Sequence, residues 1–434
     1  LQKIQNFKIF HLKPGEWKLL VMATSFIFLL FFSYAILRPI RDSLGLSGGS
    51  MELKWLFFGT FIATVVGSIL AMVLSTRIQR KHYVNGIFLF FITNLVGFFI
   101  AFRIWPHESE EFLWLSRIFF IWVSIFNLFI ISSAWSLMAD VFTKDCSQRL
   151  FGIISAGASL GSVLGASSVS LLATHLGNNT LLLLSVILLS LSLLCKDGLI
   201  KSAYALLENK EERAQFSKHF SQSIGSKNPF IGFSLIIRSP YLLGILAFIL
   251  LLTSVSTFLY MEQARIVREL FVTREQRAAA FANIDLIVQI VSFLIQIFFT
   301  ATLAKSFGIK GVLGILGFVV GIGFIVLIFT HPAFFPMVVI MSIRRIGEYA
   351  FIKPGREMLF VPLDSDSKYK VKSFLDTVVY RGGDALSAQV EGMLSKIGIS
   401  AALGFGAFLA FAWGALGIYL GKKYEKVHES SQES

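Results

Sequence analysis

The residues best able to do chemistry in this 434-residue chain are charged groups set inside apolar stretches. Arg381-Gly382-Gly383-Asp384 follows Lys368, Lys370 and Lys372 along one segment, with Asp376 between them. A helix entering a bilayer near Lys372 needs about 20 residues to cross, which puts Arg381 and Asp384 close to its middle. Arg344 and Arg345 sit at similar depth in another apolar run, and Glu348 is four and three residues beyond them, on a helical face shared with either. A third run carries Asp285, Gln289, Ser292 and Gln296, spaced four, three and four, which makes one polar stripe. Arg38 and Arg41, three apart and followed by Asp42, end the first apolar run.

Charges at that depth are costly to an inert helix and normally face a cavity with a function. Paired arginines suit carboxylate or phosphate, because the guanidinium fork binds both oxygens at once. Arg38, Arg41, Arg344, Arg345 and Arg381 are therefore the candidate contacts for a small anionic substrate. Asp42, Asp285, Gln289, Glu348, Asp376 and Asp384 are candidates for coupling or gating, and Asp285 is the stripe member able to change protonation. Bland readings stand beside these. The charges are internal pairs that lock a bundle, although arginines outnumber partners; Arg38 and Arg41 snorkel at the membrane edge, or their helix continues past Leu37 and offers them inward; Asp42 is their partner or a gate.

The elements that must hold these groups are membrane helices. The chain is 55% hydrophobic and only 15% charged, with a mean hydropathy of +0.73, whereas a soluble domain carries about 25% charge. Twelve spans are expected, at roughly 17–37, 55–75, 84–104, 112–139, 151–174, 180–195, 241–262, 281–303, 311–330, 334–356, 372–395 and 400–421. The first is read as a retained span, since Arg38-Pro39-Ile40-Arg41 follows it without a small-residue cleavage site. The long polar stretch at 197–240 separates six spans from six, giving an N-terminal bundle (1–196), a cytoplasmic linker (197–240) and a C-terminal bundle with a short tail (241–434). With the N-terminus inside, about 26 lysines and arginines fall in inside segments and about nine in outside loops, Arg265 and Arg268 among the latter; both termini are then cytoplasmic.

The net charge of +13 is explained by this orientation signal, so nucleic acid is not an expected partner; the lipid bilayer is. No cofactor is indicated. The seven histidines form no ligand-spaced cluster, and no metal site is expected. Gly157, Gly161 and Gly165 form a small-residue stripe for helix packing, with no Gly-Lys-Ser/Thr to make a nucleotide-hydrolysing loop. No nucleophile–base pair is visible, and an enzyme is not expected. The two cysteines, Cys146 and Cys195, suggest no disulfide framework.

The halves also echo each other: Arg38, Arg41 and Asp42 recur as Arg265, Arg268 and Glu269 at an offset of about 227 residues. Two such halves are the parallel repeat of major facilitator transporters. Leu37-Arg38-Pro39-Ile40-Arg41-Asp42-Ser43-Leu44 resembles the L-R-x-x-K-D-x-L pattern of the bacterial and plastid ATP/ADP translocases. Pro362-Leu363-Asp364 through Ser367-Lys368-Tyr369-Lys370-Val371-Lys372, then Asp376 and Arg381, resembles their P-L-D-x-x-S-K-x-K-x-K followed by an aspartate and an arginine. Two departures matter. Arg41 stands where that family has lysine, and Asp384 takes the place of a lysine linked to nucleotide transport. The stretch from Arg381 to Ala385 looks instead like a divergent, major-facilitator-like branch.

The resemblance implies an all-α polytopic membrane protein: twelve transmembrane helices in two pseudo-symmetric six-helix bundles around a central cavity. It also implies a secondary transporter of the bacterial inner membrane, similar to ATP/ADP antiporters, with a nucleotide or another phosphorylated compound as substrate and protons or a counter-substrate as co-partner. The alternatives are a proton-coupled transporter of a non-nucleotide solute and a membrane sensor or scaffold.

Overall fold

The computed structural model describes residues 15–142, 144–207, 209–223, 231–298, 300–360, 371–372 and 374–432. The motif from Pro362 to Lys370 and the side chain of Gln296 lie outside them. Among the described residues the chain is helical, and its β pairing is an isolated bridge between Gln79 and Ser223. In hydrocarbon every backbone N–H and C=O must be satisfied within its own segment, which is why apolar runs of this length become helices.

Contacts divide the chain into two compact units, one of Leu1–Ser43 with Leu70–Ser226 and one of Leu44–Ile69 with Lys227–Ser434. The first contains α1 (Glu16–Gly45), α3 (Arg80–Ile104), α4 (Glu110–Val141), α5 (Lys144–Leu206) and α6 (Lys210–Ser221). α2 (Leu53–Arg77) starts in the second unit and ends in the first. Ser109 caps α4, its hydroxyl accepting from the Phe112 N–H at 3.1 Å, and Glu110 and Glu111 follow where the helix dipole favours acids. Phe91, Phe98, Phe102, Phe119, Trp122 and Phe126 fill the α3–α4 contact edge to face, with ring centroids 5.1–5.6 Å apart for Phe98–Phe119, Phe91–Phe126 and Phe102–Phe119.

The glycine stripe of α5 packs against α1 within this unit. A Cβ on Gly161 would lie 2.3 Å from the Phe28 carbonyl oxygen, so the two backbones touch only because it is glycine. α5 has 63 residues, too long for one crossing, and breaks at Gly177 (φ 75°), a backbone conformation that glycine adopts freely. The polar stretch after it holds α6, which is tied down where His219 Nε2 meets Asp140 at 3.3 Å and Phe220 is buried.

The second unit contains α7 (Ile231–Arg238), α8 (Pro240–Leu270), α9 (Arg274–Phe298), α10 (Thr300–Thr330), α11 (Phe334–Gly347), α12 (Lys353–Leu359), α13 (Tyr380–Ile397) and α14 (Ile399–Gln432). Ser239 caps α8 and Pro240 opens it, a residue whose missing N–H costs nothing at that place. Leu252, Val255, Leu259 and Phe248 of α8 reach the core beside Trp413 of α14.

Nine helices among the described residues are long and apolar enough to cross a membrane. Twelve were expected; α5 breaks at Gly177, and the expected spans at 334–356 and 372–395 contain π-turns and are not among the nine. α11 passes through a π-helical turn, Glu348–Ile352, into α12, and a second π-turn, Leu375–Val379, leads into α13. Each π-turn admits an extra residue and re-aims the helix beyond it, a device concentrated at functional sites. These two segments carry Arg344, Arg345 and Glu348, and Asp376, Arg381 and Asp384.

Candidate substrate site

Four helices of the second unit and one π-turn contribute to a neighbouring set of charges. α11 brings Arg344 and Arg345, 7% and 5% exposed, to its C-terminal turn. The π-turn after it carries Glu348. Arg344 Nη1 lies 3.1 Å from Glu348 Oε2 and also donates to the Ser256 hydroxyl of α8. Arg345 faces the other way and pairs with Asp285 of α9. On α13, Arg381 Nη1 is 3.5 Å from Asp384 Oδ2, one turn on, and Asp384 accepts from the Thr257 hydroxyl of α8 at 3.0 Å. α8 and α13 run close because Gly383 has no side chain: a Cβ there would meet Thr253 Oγ1 at 2.3 Å. One turn further, Ser387 donates to Ser254 at 2.8 Å.

The electrostatics follow from these pairings. Two buried guanidiniums, Arg344 and Arg345, and the half-buried Arg381 each face a carboxylate, which lowers the cost of holding charge in the interior. Pairing leaves donors over: Arg344 Nε and Arg345 Nη2 are buried with no hydrogen-bond partner among the described residues. A buried unsatisfied N–H costs about 1–3 kcal/mol. An acceptor that reaches either group would satisfy it.

Residues 18–352 match the model of the Major Facilitator Superfamily. The chain belongs to the Major Facilitator Superfamily. It is a membrane transporter of that fold. Its similarity to the ATP/ADP translocases, read from the motifs, extends over most of its length: ADP,ATP carrier protein 2 of Chlamydia trachomatis is 23% identical across 92% of this chain and 87% of the carrier. Among solved structures, a peptide transporter in complex with alafosfalin is 14% identical with a TM-score of 0.65, covering 94% of this chain and 95% of its own. A nucleoside transporter is 14% identical with a TM-score of 0.60, covering 94% and 99%. These structural neighbours share the major facilitator fold.

Set on that fold, the sequence-derived candidates separate into groups. Arg344, Arg345, Glu348 and Asp285 come together, and Arg381 and Asp384 form the neighbouring pair on α13. Arg344, Arg345 and Arg381 each have a carboxylate: Glu348 goes to Arg344 rather than Arg345, Asp384 faces Arg381, and the neighbouring helix α9 supplies Asp285 to Arg345. Gln289 is half-buried one turn after Asp285, and Ser292 follows with a buried hydroxyl that has no partner among the described residues. Asp376 stands apart from the set. It lies in the second π-turn and pairs with Arg356 of α12 at 3.2 Å, near the Lys372–Glu357 bridge.

In the first unit α1 continues past Leu37 to Gly45, so Arg38 and Arg41 lie within the helix. Arg41 is largely buried: its Nε donates to Asp42 Oδ1 at 2.8 Å, its Nη1 to Ser124 at 3.3 Å, and its guanidinium sits 4.9 Å from the Phe120 ring centroid. Asp42 also meets the Arg41 Nη2 at 2.5 Å.

Arg265 and Arg268 were expected in an outside loop. α8 runs on to Leu270 and contains both, and Arg265 is buried between Glu262 and Glu391. The physical reason is that paired carboxylates let a helix stay apolar in effect beyond its apolar residues. Sequence reasoning missed Glu262, Glu391 and His331. The available signals were the three-residue spacing of Glu262 and Arg265 and the seven-residue spacing of Asp384 and Glu391, each of which places two charges on one helical face.

Proposed function

We propose that this chain is a secondary transporter that carries a small anionic solute, a nucleotide or another phosphorylated compound, by alternating access. The observation that carries the reading is the set of arginines on α11 and α13, each facing a carboxylate: Arg344 and Arg345 are buried with N–H groups left over, and Arg381 is half-buried. Arg344, Arg345 and Arg381 are the contacts for the anion in this unit. Glu348, Asp285 and Asp384 hold them while the site is empty and release them to the substrate; Gln289 extends the polar stripe of α9. Arg38 and Arg41 form the corresponding cationic element of α1, with Asp42 holding Arg41. Asp376 works as a gate residue through Arg356.

The name of the chlamydial carrier points to adenine nucleotides. Asp384, where the translocases have lysine, favours a substrate of lower charge, and with it a proton-coupled carrier of a non-nucleotide solute as the second reading. Twelve spans, cytoplasmic termini and a bacterial inner membrane belong to the proposal, supported by the distribution of lysine and arginine.

The test is a stability screen of the purified protein against nucleotides, sugar phosphates and carboxylates, followed by uptake into proteoliposomes. A ligand at a hundred times its Kd should stabilise the folded protein by about 2.7 kcal/mol. Arg344→Ala and Arg381→Ala should abolish that gain and the uptake. If both variants respond to the ligand as the wild type does, the site is misassigned.

A further inference from the structure

α8 and α13 carry a second buried group of charges, separate from the set just described. Arg265 donates through one terminal nitrogen to Glu262 on its own helix, and through the other to Glu391 of α13 at 2.5 Å. His331, just after α10, places Nδ1 2.5 Å from the second oxygen of Glu262. Glu262 and Glu391 are each 1% exposed. Glu391 Oε2 is buried and has no hydrogen-bond partner among the described residues.

The charges do not balance. Two ionised carboxylates share one guanidinium, which leaves one negative charge in a place where an uncompensated charge is expensive. The other charged groups nearby make no hydrogen bond to the cluster among the described residues, and Lys54 acts on Glu391 only through space. The stem of Lys54 packs on Gly392, but its ammonium lies 5.7 Å from the centroid of the exposed Trp55 ring. Arg268 donates to the Leu46 carbonyl. Arg381 and Asp384, two turns back on α13, face each other. Glu52 lies beside Gly48, Lys396 is exposed at the end of α13, and residues 399–418 of α14 contain no ionisable side chain.

One added proton brings the group to neutrality. We propose that Glu262, Arg265, Glu391 and His331 form a proton-binding site, whose proton enters at His331. The histidine side chain is 17% exposed against 1–2% for the two carboxylates, so it is the member that water can reach. The titration belongs to the four groups together, because each faces the next at hydrogen-bond distance. Arg265–Glu391 ties α8 to α13, so proton binding acts on the helix pair that also carries Thr257, Arg381 and Asp384. The inference rests on this cluster alone and stands whether or not the transported solute is an anion.

The experiment counts protons taken up by the purified full chain in detergent between about pH 8 and about pH 5, a window above the range of an ordinary carboxylate. Glu391→Gln removes the excess negative charge and should lower the uptake by about one proton per chain, although it removes no group that normally titrates there. Glu262→Gln should give the same loss and serves if the first variant does not fold. Glu108→Gln, at an exposed loop carboxylate, should match the wild type. Uptake unchanged in both Glu391→Gln and Glu262→Gln overturns the proposal.

Discussion

The Arg345–Asp285 pair gives the sharpest test of how the charges in the second unit are held. Its side chains are 6% and 11% exposed, the most enclosed of the three arginine–carboxylate pairs around α11 and α13. Asp285→Ala leaves Arg345 buried with its Nη2 already unpartnered. Removing one member of a buried pair typically costs about 3–5 kcal/mol, most of it the penalty of the charge left behind. Arg345→Ala leaves Asp285 in the same position and should cost a similar amount. Replacing both in one chain, Asp285→Ala with Arg345→Ala, leaves no charge unpaired, so its loss of stability should fall well below the sum of the two single losses. The three variants and the wild type form a double-mutant cycle with a coupling energy of several kcal/mol. Unfolding in detergent, followed by the fluorescence of the seven tryptophans, measures it. The double variant should be folded and inactive in transport. If its loss of stability equals the sum of the single losses, Asp285 and Arg345 are not partners, and the placement of α9 against α11 fails with them.

Two further outcomes follow from the geometry. Gly383→Ala puts a methyl group 2.3 Å from Thr253 Oγ1; it should destabilise by about 1–3 kcal/mol, and Thr253→Ala in the same chain should recover most of that in the same unfolding assay. Asp384→Lys places a second cation beside Arg381 in a buried site. It should lower stability without ligand by about 3–5 kcal/mol and confer stabilisation by ATP, which a thermal-shift titration reads; a variant indifferent to ATP would show that this position does not choose the substrate.

How far the site was legible in the sequence depended on whether a pair lay within one helix. Arg381 with Asp384, Arg344 with Glu348, and Arg41 with Asp42 are local pairs, and helical spacing or adjacency displays them. Arg345 with Asp285 and Arg265 with Glu391 join residues 60 and 126 positions apart, and no periodicity reports such distances. The π-turns are equally hidden, since they depend on what the helix packs against. They explain why Asp376, only five residues before Arg381, points to Arg356 instead.

The sequence by itself determined the class of the protein. Its apolar runs, long enough to span hydrocarbon, admit helices and little else, because a backbone without water must bond to itself. It also determined that charge would be carried deep into several of those helices. The tertiary structure decided which charges meet. It gave Arg344, Arg345 and Arg381 a carboxylate each, with two donors to spare, and it drew Arg265 from an expected loop into a buried cluster with Glu262, Glu391 and His331. The reason is that the energy of a buried charge is set by the neighbour a few ångströms away, and for Arg345 and Arg265 that neighbour comes from another helix.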